Sequence, residues 1–166
     1  MNKEISIKKG AELIVSLESF RSNAYLDQKD IPTIGYGYIE VNGKPVQLGD
    51  KITQKDAFDL LIKRIRQDFE LLNSFCEVHK ILLSDEEVSA ILSFIYNCGF
   101  ESFCSSSMAE DLIRNEPNVA EKVASDLLKW NKIRIGENLV YSQGLYNRRL
   151  KEAALFKNEK ASEAVL

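Results

Sequence analysis

The sequence predicts an α+β protein that is mostly helical, with a small antiparallel sheet near its front. After Asp50, apolar residues recur at spacings of three and four, which is typical of amphipathic helices. Four of the eight glycines and two of the three prolines lie between Asn23 and Asp50. That same segment contains Asn42-Gly43, which is a strong signal for a two-residue β-hairpin.

The length and composition are those of an ordinary globular domain. The chain has 166 residues and a mass of 18.9 kDa. Of its residues, 45% are hydrophobic and 28% are charged. This is about one domain's worth of chain. We therefore expect a single domain over 1–166, with a β lobe at about 22–50, a helical lobe at about 53–157 and a frayed tail at 158–166.

The first two elements follow from apolar spacing and turn residues. Positions 6–21 show an apolar face typical of a helix, with Ser6 available as its cap. The β lobe is predicted from short β-favouring pieces, Thr33-Ile34 and the run 38–41, which are separated by glycine and proline.

Capping residues place the helices of the second lobe. Thr53, followed by Asp56, predicts the start of a long helix that links the two lobes. Ser84 and Glu87 form the sequence pattern of a capping box, and Gly99 is a natural stop.

Further along, two more breaks and one last helix are predicted. Pro117-Asn118 separates two shorter helices, and Gly136 interrupts the helical pattern. We expect a last helix to start near Asn147.

Charge and residue usage exclude several classes of function. With 22 Lys+Arg against 25 Asp+Glu, the net charge of −3 provides no positive field for nucleic acid or anionic lipid. No segment has the apolar length of a membrane span or of a secretory signal, so we expect synthesis in the cytoplasm. The three cysteines and the lone His79 fit no metal-binding spacing, and neither a metal nor a cofactor is expected.

Glu18, Asp27 and Thr33 are the candidate catalytic residues. Glycoside hydrolysis needs one carboxylic acid to protonate the leaving oxygen and, commonly, a second carboxylate across the scissile bond. A Glu where a helix meets a sheet is partly desolvated, which favours its protonated form, and a Thr hydroxyl can orient a water. By spacing alone, the favoured interpretation is a helix-terminal Glu with a turn-forming Asp, because two acids and a hydroxyl are common in any soluble chain.

The stretch 18–27, ESFRSNAYLD, followed by 31–37, IPTIGYG, closely resembles the active-site segment of phage-type lysozymes, glycoside hydrolase family 24. Other blocks resemble the same family in the same order, from about residue 7 to residue 157. These blocks are SFIYNCG at 93–99, SSM at 106–108, WNK at 130–132 and QGLYNRRLKE at 143–152.

The resemblance implies a lysozyme-like fold and a role for each matching residue. Glu18 is then the general acid, Asp27 the second carboxylate, and Thr33 its partner in holding the attacking water. Arg148 matches the arginine that faces the catalytic Glu in this family. Positions that line the saccharide groove correspond to Ile39, Tyr96 and Ser106.

The activity implied is hydrolysis of the β-1,4 bond between N-acetylmuramic acid and N-acetylglucosamine in peptidoglycan, with inversion. The resemblance further implies a monomer without a cofactor that acts on glycan strands in the periplasm after holin-dependent release, without inserting into the membrane. Three departures are Tyr38 where His is common, Ser19 where Gly is frequent, and the acidic net charge.

Three other functions remain open. A lysozyme-like domain could bind peptidoglycan without catalysis, which saccharide binding without turnover would reveal. The same muramidase could act as an antibacterial effector, which gene neighbours would distinguish. A lytic transglycosylase would leave 1,6-anhydro ends, and a water placed by Asp27 and Thr33 argues against it.

Overall fold

The computed structural model describes residues 1–158, beginning with helix α1 (Lys3–Leu17). The side chain of Asn2 caps this helix by accepting a hydrogen bond from the Ile5 amide at 3.2 Å. The predicted helix 6–21 with a Ser6 cap is therefore wrong at both ends. Ser6 is buried and its hydroxyl donates to Asp85 at 3.1 Å. The helix stops before residue 21 because the chain turns extended at Glu18 to enter the first strand.

The β lobe consists of two antiparallel strand pairs. Strand β1 (Arg21–Leu26) pairs with β2 (Pro32–Gly35), and β3 (Glu40–Val41) pairs with β4 (Lys44–Pro45). The predicted antiparallel sheet thus forms as two ribbons.

The hairpin predicted at Asn42-Gly43 is confirmed. These two residues join β3 to β4 and have positive φ angles of 52° and 78°. Both central residues of a type I′ turn require positive φ, which Asn and Gly adopt most easily.

Helix α2 (Gln54–His79) follows the β lobe and leads into the helical lobe. As predicted, Thr53 caps it by accepting from the Asp56 amide at 3.1 Å. One face carries fully buried side chains, among them Leu61, Ile65 and Leu72. The helix ends at Lys80, which adopts a left-handed conformation with φ of 56°.

The other helices are α3 (Asp85–Cys98), α4 (Phe100–Cys104), α5 (Ser107–Arg114), α6 (Val119–Lys129) and α7 (Gln143–Phe156). Both halves of the predicted capping box are present: the Glu87 amide donates to the Ser84 hydroxyl at 3.2 Å, and the Glu87 carboxylate accepts from the Ser84 amide at 2.7 Å. Gly99 ends α3 with a φ of 90°, as its sequence position predicts.

A third ribbon corrects the expectation of a purely helical lobe over 53–157. Strand β5 (Lys132–Ile135) pairs with β6 (Asn138–Tyr141) around a turn that contains Gly136. The preceding helix already ends at Lys129, and Gly136 lies in the turn of the hairpin that follows.

The last helix also begins earlier than predicted. Its first residue is Gln143, four positions before Asn147, because the Ser142 hydroxyl caps it by accepting from the Leu145 amide at 3.3 Å. Of the tail predicted as frayed at 158–166, only Asn158 lies within the described residues.

Helix α3 forms the centre of the helical lobe, where it packs against α1 and α7. Its side chains from Val88 to Ile95 are all buried. Across residues 1–158, the structure contains no helix with the length and apolar character needed to cross a bilayer.

Candidate active site

Glu18 lies where α1 ends and the β lobe begins. Its amide still bonds to the Ile14 carbonyl at 2.8 Å, but its own backbone is extended, with φ of −100° and ψ of 129°. Its side chain is 26% exposed, so the carboxyl group is reachable from solvent while part of its hydration is lost. The structure therefore places Glu18 at the helix–sheet junction that the sequence predicts.

Arg148 on α7 binds the carboxylate of Glu18 through its Nη1 atom. Its other side-chain nitrogens are held from behind: Nη2 donates to the Ser93 carbonyl at 3.1 Å and to its hydroxyl at 3.3 Å. The arginine side chain is only 7% exposed. The guanidinium is thus fixed in one orientation, which in turn restrains the carboxyl group of Glu18.

Asp27 follows β1 at the start of the turn that joins β1 to β2, and Thr33 is the second residue of β2. The Oδ1 atom of Asp27 accepts hydrogen bonds from the amides of Lys29 at 2.8 Å and Ile31 at 2.9 Å. Thr33 is buried, and its hydroxyl donates to the Ile31 carbonyl at 2.9 Å. Both amides bind Oδ1 of Asp27, so the turn orients the carboxylate while neither amide binds Oδ2.

A cleft of about 450 Å³ lies between the β lobe and the helices α2 and α3. Ile39, which is 55% exposed, and the half-buried Tyr96 both line this cleft. The third expected groove residue does not line this cleft. Ser106 is buried, and its hydroxyl caps α5 by accepting from the Ala109 amide at 3.3 Å.

Two tyrosines connect the cleft with Glu18. Burial raises the pKa of Tyr96 to about 12, and the nearby Glu18 carboxylate raises it too. Burial is also the main cause that raises the pKa of Tyr38 well above its usual range, with further contributions from Tyr96 and Glu18. Both hydroxyl groups are therefore neutral donors at physiological pH.

Each tyrosine hydroxyl has a backbone acceptor. Tyr96 donates to the Tyr36 carbonyl at 2.7 Å, and Tyr38 donates to the Ala57 carbonyl at 2.9 Å. The Tyr38 ring also explains a local glycine: a Cβ added at Gly35, whose φ is 66°, would lie 2.9 Å from the ring. Tyr38 is thus packed into the base of the cleft.

Sequence reasoning missed the buried ion pairs behind Arg148. Glu152 has no exposed side-chain surface, and its carboxylate binds both Arg148, at 3.0 Å, and Arg149. It also accepts from the Ser93 hydroxyl at 2.7 Å. The spacings of three and four between these residues on one helix were a signal that could have suggested contact.

The three cysteines and His79 all lie within the part of the chain that the structure describes. Within 1–158, no group of three or more His, Cys, Asp or Glu side chains is arranged to hold a metal ion. Cys76 is buried, Cys98 is half-buried and Cys104 is exposed, and all three are free thiols. The ring of His79 packs on Phe75 with 4.6 Å between ring centroids.

Comparison with known proteins finds similarity to phage lysozymes and endolysins over most of the chain. A family model described as phage lysozyme matches residues 15–152. The endolysin of Acyrthosiphon pisum secondary endosymbiont phage 1 is 30% identical over 91% of this chain and 97% of its own length.

Two further matches define the extent of the similarity. The endolysin of Bacillus phage PZA is 36% identical over 89% of this chain, which spans about half of that longer protein, 53%. The solved structure of the endolysin from Escherichia coli O157:H7 phage FAHEc1 superposes with a TM-score of 0.80 at 32% identity. That superposition covers 90% of each chain.

Proposed function

Because the chain belongs to the phage lysozyme family, we propose that it is a muramidase that hydrolyses the β-1,4 bond between N-acetylmuramic acid and N-acetylglucosamine in peptidoglycan. The observation that carries this proposal is the contact between Glu18 and the buried Arg148 at the junction of the two lobes. It supplies a carboxyl group that is oriented, partly desolvated and still open to a substrate.

Glu18 is proposed as the general acid that protonates the leaving glycosidic oxygen. Arg148 occupies its Oε1 atom, and a guanidinium can only donate hydrogen bonds. The transferable proton therefore belongs on Oε2. Fixing one carboxyl oxygen in this way aims the other at the substrate without a loss of orientation entropy during the reaction.

Asp27 and Thr33 are proposed to hold the attacking water. The Thr33 hydroxyl donates its own hydrogen to Ile31, so its remaining lone pairs can accept a hydrogen from water. Asp27 can accept the second hydrogen through Oδ2, since Oδ1 is bound by the turn amides. This assignment corresponds to an inverting hydrolysis, for which the two carboxyl groups are about 6.5–9.5 Å apart.

The groove residues proposed to contact the glycan are Ile39 and Tyr96, which line the cleft. An exposed aliphatic side chain and a tyrosine ring both suit the apolar face of a sugar. The hydroxyl of Ser106 is already used in the cap of α5, so any glycan contact there is proposed through its backbone or neighbours.

The wider role proposed is that of an endolysin acting as a monomer. Residues 1–166 form a single muramidase domain that reaches the periplasmic cell wall after holin-dependent release. The support for this role is the similarity to proteins named endolysins. Peptidoglycan is itself anionic, so the net charge of −3 makes electrostatic steering weak.

The experiment that tests this function follows turbidity loss of outer-membrane-permeabilised Gram-negative cells, and of purified sacculi, with products resolved by mass. Wild-type protein is expected to release reducing muramic-acid ends, and folded Glu18→Gln is expected to release none. Products with 1,6-anhydro ends would instead identify a lytic transglycosylase. Sedimentation with sacculi without any release would identify a binding domain.

A further inference from the structure

The buried charges behind the catalytic acid form a continuous chain from Glu18 to Arg149. Arg148 contacts Glu18 through Nη1 and Glu152 through Nε. Glu152 in turn contacts Arg149, and neither of these two side chains has any exposed surface. Two carboxylates therefore alternate with two guanidinium groups, and three of the four groups lie within the protein interior.

A buried ion pair of this kind contributes little to stability compared with apolar packing. Three charged side chains nevertheless lie on the buried face of α7, directly behind the acid. If Arg148 were present alone, its full charge would act on Glu18 and favour loss of the proton that the acid has to donate. Glu152 binds the Nε atom of the same guanidinium, and its negative charge counters that effect.

We propose that Glu152 is a positioning residue for the hydrolysis proposed above: it holds Arg148 in contact with Glu18 and, together with Arg149, sets how much positive charge reaches that acid. This inference rests on the proposed function. Glu152 does not touch the substrate, because its side chain is completely enclosed.

Arg149 is the second half of the same arrangement. Its Nε donates to the Trp130 carbonyl at 3.1 Å, another of its nitrogens binds Asn97, and its guanidinium lies 5.0 Å from the centroid of the Phe94 ring. These contacts fix it against Oε2 of Glu152, whereas Arg148 binds Oε1. Because Arg149 neutralises part of the negative charge of Glu152, less of that charge offsets the positive charge of Arg148.

Other charged or titratable groups around Glu18 come from three further parts of the structure. Tyr38 follows β2 and Tyr96 lies on α3, and each is electrostatically coupled to Glu18. Arg64 on α2 acts on Tyr96. Both tyrosines are neutral across the working pH range, so neither adds a charge beside Glu18.

The test compares two substitutions that must act in opposite directions. The alkaline limb of the pH profile of kcat/KM reports loss of the proton from the general acid. Glu152→Gln removes a negative charge, so the limb is expected to move down by about one pH unit. Arg149→Met removes a positive charge, so the limb is expected to move up by a similar amount.

Matched controls separate this effect from a general change of charge. Glu12→Gln changes an exposed side chain on α1, and Lys151→Met changes an exposed side chain on α7. Both are expected to leave the limb in place, and to do so at low and high salt, because solvent screens surface charges. Glu152→Asp keeps the charge and is expected to restore most of the wild-type profile.

The two variants decide the proposal separately, so loss of folding in one leaves the other as the test. An unchanged limb, or shifts in the same direction, would overturn it, since a structural role lowers stability and activity without a signed shift. Titration of side-chain carboxyls by NMR in protein labelled with ¹³C-glutamate gives a readout that needs no turnover. If wild-type protein releases no muramic-acid ends, the proposed function fails. If wild-type protein is active but the Glu18 carboxyl titrates at the same pH in wild type and in both variants, only the role of Glu152 fails.

Discussion

Arg148 binds Glu18 across 130 positions of sequence and joins the last helix of the fold to the end of the first. The arginine is almost fully enclosed, whereas the glutamate keeps about a quarter of its side-chain surface. A rigid buried donor thus holds an accessible acid. The arrangement orients the carboxyl group before any substrate arrives, which is what a general acid requires.

Glu18→Gln should abolish peptidoglycan hydrolysis while leaving the fold intact. The amide oxygen can still accept from Arg148, but the side chain has no proton to transfer, so the rate should fall by about 10²–10⁴-fold or more. Release of muramic-acid ends and a thermal melt measure the two quantities. Glu12→Gln, on the exposed face of the same helix, is the matched control and should keep full activity. Normal lysis by folded Glu18→Gln would contradict the assignment of Glu18 as the general acid.

Asp27→Asn should lower activity strongly and stability only slightly. The amide oxygen of Asn can accept the same two backbone hydrogen bonds that Oδ1 of Asp27 accepts. It cannot act as a base toward water, so hydrolysis should slow by roughly 10²-fold or more. Asp30→Asn, which changes an exposed residue of the same turn, should behave like wild type in both assays. Equal activity of the two variants would contradict the role given to Asp27.

Thr33→Val and Thr33→Ser should separate the hydroxyl from the packing. Thr33 is 4% exposed, so valine preserves its volume while serine leaves a gap of one methyl group. We expect serine to cost about 1 kcal/mol in the free energy of unfolding and yet to keep more activity. Valine loses the hydrogen bond to the Ile31 carbonyl, at a similar cost of about 1 kcal/mol, and should lose more hydrolysis. If activity follows stability in both variants, the hydroxyl has no part in the reaction.

Asp68 should make a signed contribution to the pH dependence of stability. Burial raises the pKa of this carboxyl above its usual value, more than Arg64 lowers it. The folded protein therefore holds a proton there at pH values where the unfolded chain has lost it, just above the ordinary value near 3.8. The contribution of Asp68 to stability is then gained as the pH falls through this window.

Urea unfolding at pH 7 and pH 4 tests that sign. The free energy of unfolding of wild type minus that of Asp68→Asn should be more positive at pH 4 than at pH 7. Asp59→Asn, which changes an exposed side chain on the same helix, should show a smaller change between the two pH values. A difference that shrinks on acidification would contradict the effect assigned to burial.

Ser84→Ala should remove the cap of α3 and destabilise the protein by about 1 kcal/mol. Ser84 and Glu87 satisfy two amides reciprocally at the start of the helix that forms the core. The expected fall in melting temperature is about 2–4 °C for a chain of this size. Ser74→Ala, at an exposed position within α2, should cause no such fall. Equal melting temperatures for the two variants would show that the capping box contributes nothing.

Local patterns in the sequence were sufficient for several parts of the fold. Thr53, Ser84 and the Asn42-Gly43 pair act within a few residues of themselves, so their effects could be predicted from spacing alone. The hairpin around Gly136 was missed, because a glycine can either end a helix or form a hairpin turn, and only the pairing of the flanking strands distinguishes these outcomes.

The sequence by itself determined the starts of α2 and α3 and the turn at Asn42-Gly43. Its resemblance to phage-type lysozymes supplied the candidate set Glu18, Asp27 and Thr33 and implied that Arg148 faces Glu18. Only the tertiary structure decided that Glu152 and Arg149 are buried behind Arg148 and bind each other there. The physical reason is range. Caps and turns are satisfied within about one helical turn, whereas the charge environment of the acid depends on the packing of α1, α3 and α7, which are distant in sequence.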